Sequence, residues 1–105
     1  MNTIVTESNG LTTIKLEGML DSSAAPKFQE TISQQLEKEN LNIVVDLADL
    51  AYTCSQGIRT ILTLMKTVSS RKGKLVFRNI QPTVMEVFDM SGISQAMVIE
   101  EDKRQ

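Results

Sequence analysis

The sequence predicts a single α/β domain: one mixed β-sheet of about five strands with helices packed against it, in the order β-β-α-β-α-β-α-β. Three observations carry that prediction. Asn9-Gly10 separates two β-branched runs, a hairpin signal because both residues tolerate positive φ. "LNIVVDL" (Leu41–Leu47) is a short continuous apolar run that suits a central strand covered by helices. Beyond the hairpin, strand-like and helix-like segments alternate, which implies right-handed parallel crossovers.

The elements follow in order. "TIVTES" (Thr3–Ser8) reads as the first strand. "LTTIKLEG" (Leu11–Gly18) reads as its hairpin partner, with Ile14 and Leu16 on one face. Asp21, Ser22 and Ser23 then offer capping oxygens, and Pro26 falls in a first helical turn, where a missing N–H costs little. Ala25, Phe28, Ile32 and Leu36 recur at helical spacing and predict a helix from about Ser23 to Glu39. After the Leu41–Leu47 strand, Ile58, Ile61, Leu62, Met65 and Val68 form the apolar stripe of a second helix. Gly73 is the expected stop, with Arg71 and Lys72 near the C-terminal end. "KLVFR" (Lys74–Arg78) is a strand. "PTVMEVFDMSG" opens on Pro82 and closes on Gly92, the asymmetry of a third helix. "AMVIE" (Ala96–Glu100) is the last strand. The domain spans residues 1–100, and the charged "EDKRQ" of residues 101–105 reads as a disordered tail.

Composition narrows the function. The chain has 105 residues, 41% hydrophobic, and a net charge of −2, so no basic surface invites nucleic acid. No apolar run approaches the ~20 residues of a membrane span. The N-terminus lacks the basic and apolar segments of a signal peptide, and one cysteine cannot form an internal disulfide; together these predict a cytoplasmic protein. There is no histidine, hence neither the commonest general base nor the commonest metal ligand. Neither GxxxxGK[ST] nor GxGxxG occurs. The expectation is a protein that is not an enzyme and takes no metal or cofactor.

One stretch resists that bland picture. In "DLAYTCSQGIRTIL" (Asp49–Leu62), the turn from strand to helix carries Thr53, Cys54, Ser55, Gln56 and Gly57, all small or polar. Two readings of Ser55 stand side by side. It caps the second helix with its hydroxyl oxygen. Or the hydroxyl is offered for modification, since a helix N-terminus tolerates a phosphate. Cys54 reads as a small packing residue, because no base is at hand to make its thiol a nucleophile. Asp21 reads as a cap for the first helix. Asp46 and Asp49 bracket the end of the third strand as turn and solvation residues, and Met19 and Met90 stand as adaptable contact residues.

The pattern Asp46-Leu47-x-x-Leu50-x-Tyr52-x-x-Ser55-x-Gly57-Ile58-Arg59 resembles the signature of STAS domains, in particular the bacterial anti-sigma factor antagonists. "LEGMLDSSAAPKF" and "VFDMSGI" resemble two further segments of that family, in the same order, so the likeness runs from about Leu11 to Ile99. The resemblance implies that Ser55 is the phosphorylated position and that Asp21 lies near it. It places Thr53, Cys54, Gln56, Gly57 and Arg59 with them on the partner-binding surface. The sequence departs from the pattern at Cys54, where the family carries Asp or Ser, at Gln56, where it carries Ser, Thr or Ala, and at Met19, where Glu is common. The implied partners are an anti-sigma factor that is also a serine kinase and a serine phosphatase that resets the cycle. Binding of the unmodified antagonist releases the sigma factor, and phosphorylation ends the binding. Other roles on the same fold stay open: a subunit of a lipid-transporting ABC system, or a scaffold module of a stress-sensing assembly.

Overall fold

A computed structural model gives the architecture, and it describes residues 1–100; the expected tail lies outside the described residues. The elements are β1 (Asn2–Ser8), β2 (Leu11–Leu20), α1 (Ala25–Gln35), β3 (Asn42–Thr53), α2 (Ser55–Ser70), β4 (Lys74–Arg78), α3 (Pro82–Ser91), a 3-10 turn (Ile93–Ala96) and β5 (Ile99–Glu100). The five strands form one sheet in the order β1-β2-β3-β4-β5. β1 and β2 pair antiparallel across a turn in which Asn9 and Gly10 both take positive φ, as the hairpin signal requires. All later pairings are parallel.

On β2, residues alternate inward and outward. Ile14, Leu16 and Leu20 are fully buried, and they meet Ile43, Val45, Leu47 and Leu50 of β3 and Phe77 of β4 in one core. α1 adds Phe28 and Ile32, α2 adds Ile61, Leu64 and Val68, and α3 adds Val84 and Phe88. All three phenylalanines of the sequence are buried there. The opposite face of the sheet carries polar pairs, among them Lys15 with Asp49 at 3.2 Å.

Several expectations need correction. β3 does not stop at Leu47 but continues to Thr53. It does so through two irregularities. Lys15 and Glu17 of β2 face Asp46 and Asp49, and Gly18 and Met19 face Leu50 and Tyr52, so β3 holds an extra residue each time. Asp46 stabilises the first bulge: its carboxylate accepts the Ala48 N–H (3.0 Å) and a bond from Asn79 Nδ2 (3.2 Å). Asp46 and Asp49 therefore sit within the strand, not at its end. β4 pairs only with Asn42–Asp46, so the far half of β3 is free of a strand on that side. α3 packs there, and Gln81 Nε2 donates to the Ala48 carbonyl at 2.7 Å.

α1 is shorter than expected, ending at Gln35. The Arg71 guanidinium, reaching from the end of α2, donates to the carbonyls of Leu36, Lys38 and Glu39 and holds the chain out of helix. α2 ends as expected near Gly73, but Lys72 takes the left-handed position and Gly73 does not. Gly73 serves close approach instead: a Cβ there would lie 2.5 Å from the Leu41 carbonyl oxygen. Of the expected α2 stripe, Ile61 and Val68 are buried and Ile58 and Met65 pack partly buried against the core, while Gly57, Thr60 and Leu64 complete the core face and Leu62 falls off it. Leu62 is 38% exposed. β5 is reduced to two residues: of the expected Ala96–Glu100, Ala96 belongs to the 3-10 turn and Met97 and Val98 lie between that turn and the strand.

Candidate functional site

The site forms where two parallel strands end side by side. Met19 pairs with Tyr52 and Leu20 with Thr53, and the Cys54 N–H donates to the Leu20 carbonyl at 3.0 Å. This bond sets the ends of β2 and β3 level. Asp21, next after Leu20, and Ser55, next after Cys54, thus leave neighbouring strands at the same edge of the sheet.

The helix begins at once. Cys54 is extended (φ −111°, ψ 175°), and the Ile58 N–H makes the first helical bond, to the Cys54 carbonyl at 3.0 Å. So sharp a turn brings helix backbone against strand side chains. A Cβ on Gly57 would meet Leu20 Cδ2 at 2.6 Å and Thr53 Oγ1 at 2.7 Å, closer than real side chains approach. Only glycine fits, and Thr53 is buried beneath it.

The polar stretch therefore divides by depth. Thr53 and Gly57 shape the turn from below, Cys54 is half-buried, and Ser55, Gln56 and Arg59 are exposed. The capping reading of Ser55 is not borne out. Cys54 occupies the N-cap position without a side-chain cap bond, and Ser55 is the first helical residue. Its hydroxyl makes no hydrogen bond among the described residues, and the N–H groups of Ser55, Gln56 and Gly57 precede the first helical bond. A free hydroxyl thus lies beside uncapped N–H donors at the positive end of a sixteen-residue helix.

Asp21 does not cap α1 in the expected way, since Ala24 holds the N-cap position without a side-chain bond. Its carboxylate instead organises the turn ahead of the helix, accepting the Ser23 hydroxyl (2.7 Å) and the N–H groups of Ser23 (3.1 Å) and Ala24 (3.0 Å). These bonds, the Ser23 hydroxyl first, hold the carboxyl below the usual carboxylate range.

Sequence reasoning named Met19 as an adaptable contact residue and as a departure from the family's common Glu, and gave Tyr52 no role of its own. The ladder sets them opposite each other, 52% and 44% exposed, beside the turn. The signal was present: Met19 departs from the family's acidic residue, and Tyr52 belongs to the quoted signature. Met90 is also exposed, at the end of α3. Among the described residues no cluster of acids and cysteine is placed to hold a metal, and no helix is long and apolar enough to cross a membrane.

Comparison with known proteins agrees with this architecture. The family model described as the STAS domain matches residues 2–105. BtrV of Bordetella bronchiseptica, assigned by name to the anti-sigma factor antagonists, is 32% identical over 84 residues, covering 80% of this chain and 72% of BtrV. The anti-sigma-B factor antagonist of Listeria monocytogenes is 26% identical over 86 residues, covering 82% and 75%. Among solved structures, the unphosphorylated anti-sigma factor antagonist SpoIIAA of Bacillus superposes with a TM-score of 0.80 at 24% identity, over 94% of this chain and 88% of that one. With a family model spanning nearly every residue, a sheet and helix order to match, and the Asp46–Arg59 signature folded into one strand, turn and helix, the chain belongs to the STAS domain family.

Proposed function

We propose that this protein is a cytoplasmic, non-catalytic anti-sigma factor antagonist. It binds an anti-sigma factor with serine-kinase activity, releases the sigma factor, and is switched off by phosphate on Ser55. The observation that carries the reading is the placement of that hydroxyl: exposed, unbonded, and first in α2 beside free N–H donors. Relatives named as antagonists of anti-sigma-B and anti-sigma F factors support it. So does the existence of SpoIIAA in phosphorylated and unphosphorylated forms.

The chemistry is divided between the partners. The kinase binds ATP and transfers its γ-phosphoryl group to Ser55 Oγ. ADP leaves, and the hydroxyl proton passes to a base or to solvent. This chain supplies the acceptor and its presentation: Gly57 lets α2 start hard against β3, so Ser55 stands at the rim. Thr53 and Gly57 set the shape of the turn, while Asp21 fixes the adjoining β2–α1 turn. Cys54, Gln56 and Arg59 complete the surface. A neutral hydroxyl is cheap to desolvate against a partner, but a phosphate of about −1.5 to −2 charges is not. A serine phosphatase restores the binding form.

The test is capture of the partner with unmodified full-length chain, then incubation with ATP and mapping of modified residues by mass spectrometry. Modification confined to Ser55 is expected. Co-purification with a permease and an ATPase, without ATP-dependent modification, would contradict the reading and favour a transporter subunit.

A further inference from the structure

Arg59 follows Ser55 by four residues within α2. Residues so spaced are neighbours on a helix surface, with about 5–6 Å between their Cβ atoms. Cα–Cβ bonds in a helix tilt toward its N-terminus, so a long side chain at Arg59 covers the turn that begins at Ser55. Both residues are exposed. Arg59 also lines the groove between α1 and α2, where its neighbours Gln29, Ser33, Gln56, Thr60 and Thr63 are uncharged. Among the described residues its guanidinium makes no ion pair, unlike Lys15, Lys38 and Arg78. A cation with no acid of its own thus stands one helical turn from an unbonded hydroxyl.

We infer that Arg59 is the intramolecular partner of a phosphate on Ser55. This rests on the reading of Ser55 as the modified residue and adds what the modified state does. The guanidinium presents several N–H donors to the phosphate oxygens, a charge-assisted contact stronger than one between neutral groups. In the unmodified protein the same guanidinium is free on the docking surface. Phosphorylation therefore changes that surface twice: it adds an anion, and it draws a cation away from whatever faced it. Arg59 is a positioning residue here, since it holds the product group and takes no part in its transfer. The other charges at this end belong to the β2–α1 turn and the start of α1. Asp21 has its carboxylate oxygen occupied by Ser23 and Ala24, and Lys27 lies in the first turn of α1.

The test removes the kinase from the question. Phosphoserine is placed at position 55 of the full chain during translation, and the phosphate is titrated by 31P NMR. The helix N-terminus lowers the second ionisation equally in every variant, so differences isolate Arg59. That ionisation, ordinarily about 6, is expected about half a pH unit higher in Arg59→Gln than in the unsubstituted chain, roughly three-fold in proton affinity. Arg59→Lys should recover most of the difference, and ~1 M salt should shrink it. If Arg59 only packs against the groove, the phosphate will titrate identically with and without Arg59→Gln, and that result overturns the pairing. Failure of the kinase to modify Ser55 would count against the proposed function instead, and would leave this titration as it is.

Discussion

Gly57→Ala separates two opposed effects whose signs differ. In an ordinary helix the change is favourable, by up to about 1 kcal/mol, because alanine orders at lower entropic cost than glycine. At this position the added Cβ would lie 2.6 Å from Leu20 Cδ2, 2.8 Å from Leu20 Cγ and 2.7 Å from Thr53 Oγ1. Neither neighbour has room to yield, since Leu20 and Thr53 are both buried where β2, β3 and α2 meet. Forcing a methyl into a closed site costs about 1–3 kcal/mol. With three contacts under 3 Å the upper part of that range applies, about 2–3 kcal/mol, so the net expectation is a loss of about 1–2 kcal/mol, or roughly 5–10 °C in melting temperature for a domain of this size. The assay is urea denaturation followed by far-UV circular dichroism, with the midpoint compared at constant slope. A Gly57→Ala protein as stable as the unsubstituted chain, or more so, would refute the steric account of the turn. The presentation of Ser55 would then need another explanation.

Two further substitutions probe the scaffold and the turn. Leu64→Ala should cost about 2–5 kcal/mol, as the side chain is fully buried, while Leu62→Ala, 38% exposed, should cost under about 1 kcal/mol; reversal of that order in denaturation would show that α2 is rotated. Cys54→Ser should stabilise the domain by about 0.5–1 kcal/mol in thermal melts, because the extended N-cap backbone is ready for an oxygen that the thiol does not supply, and partner binding should stay within a few-fold.

The fold was legible wherever a local signal coincided with the tertiary answer. Asn9-Gly10 set the hairpin, Pro82 and Gly92 bounded α3, and Lys74–Arg78 was read to the residue. The misses share a cause, which is long-range structure overriding local pattern. Nothing near Gln35 says that Arg71 will take the carbonyls of Leu36, Lys38 and Glu39. β3 hides its second half because two extra residues spoil the alternation that marks a strand. On α2 the stripe took in Leu62 and left out Leu64, and it could not show that Gly57 and Thr60, which are not apolar, join the core face. At the site, the motif named the residues but not their depth. Thr53 and Gly57 turn inward, and only the contact of Gly57 with Leu20 and Thr53 shows why they must.

The central claim is that a phosphate on Ser55 decides whether the partner binds. Titration calorimetry of the full chain against the captured anti-sigma factor, unmodified and phosphorylated at Ser55, tests it most directly. Mispairing a buried charge at an interface costs about 2–5 kcal/mol, so binding should weaken roughly 30- to several-thousand-fold on phosphorylation. Ser55→Ala should bind like the unmodified protein and resist ATP-dependent release. Equal affinities for the unmodified and phosphorylated chains would contradict the account and leave Ser55 an ordinary surface residue at the start of α2.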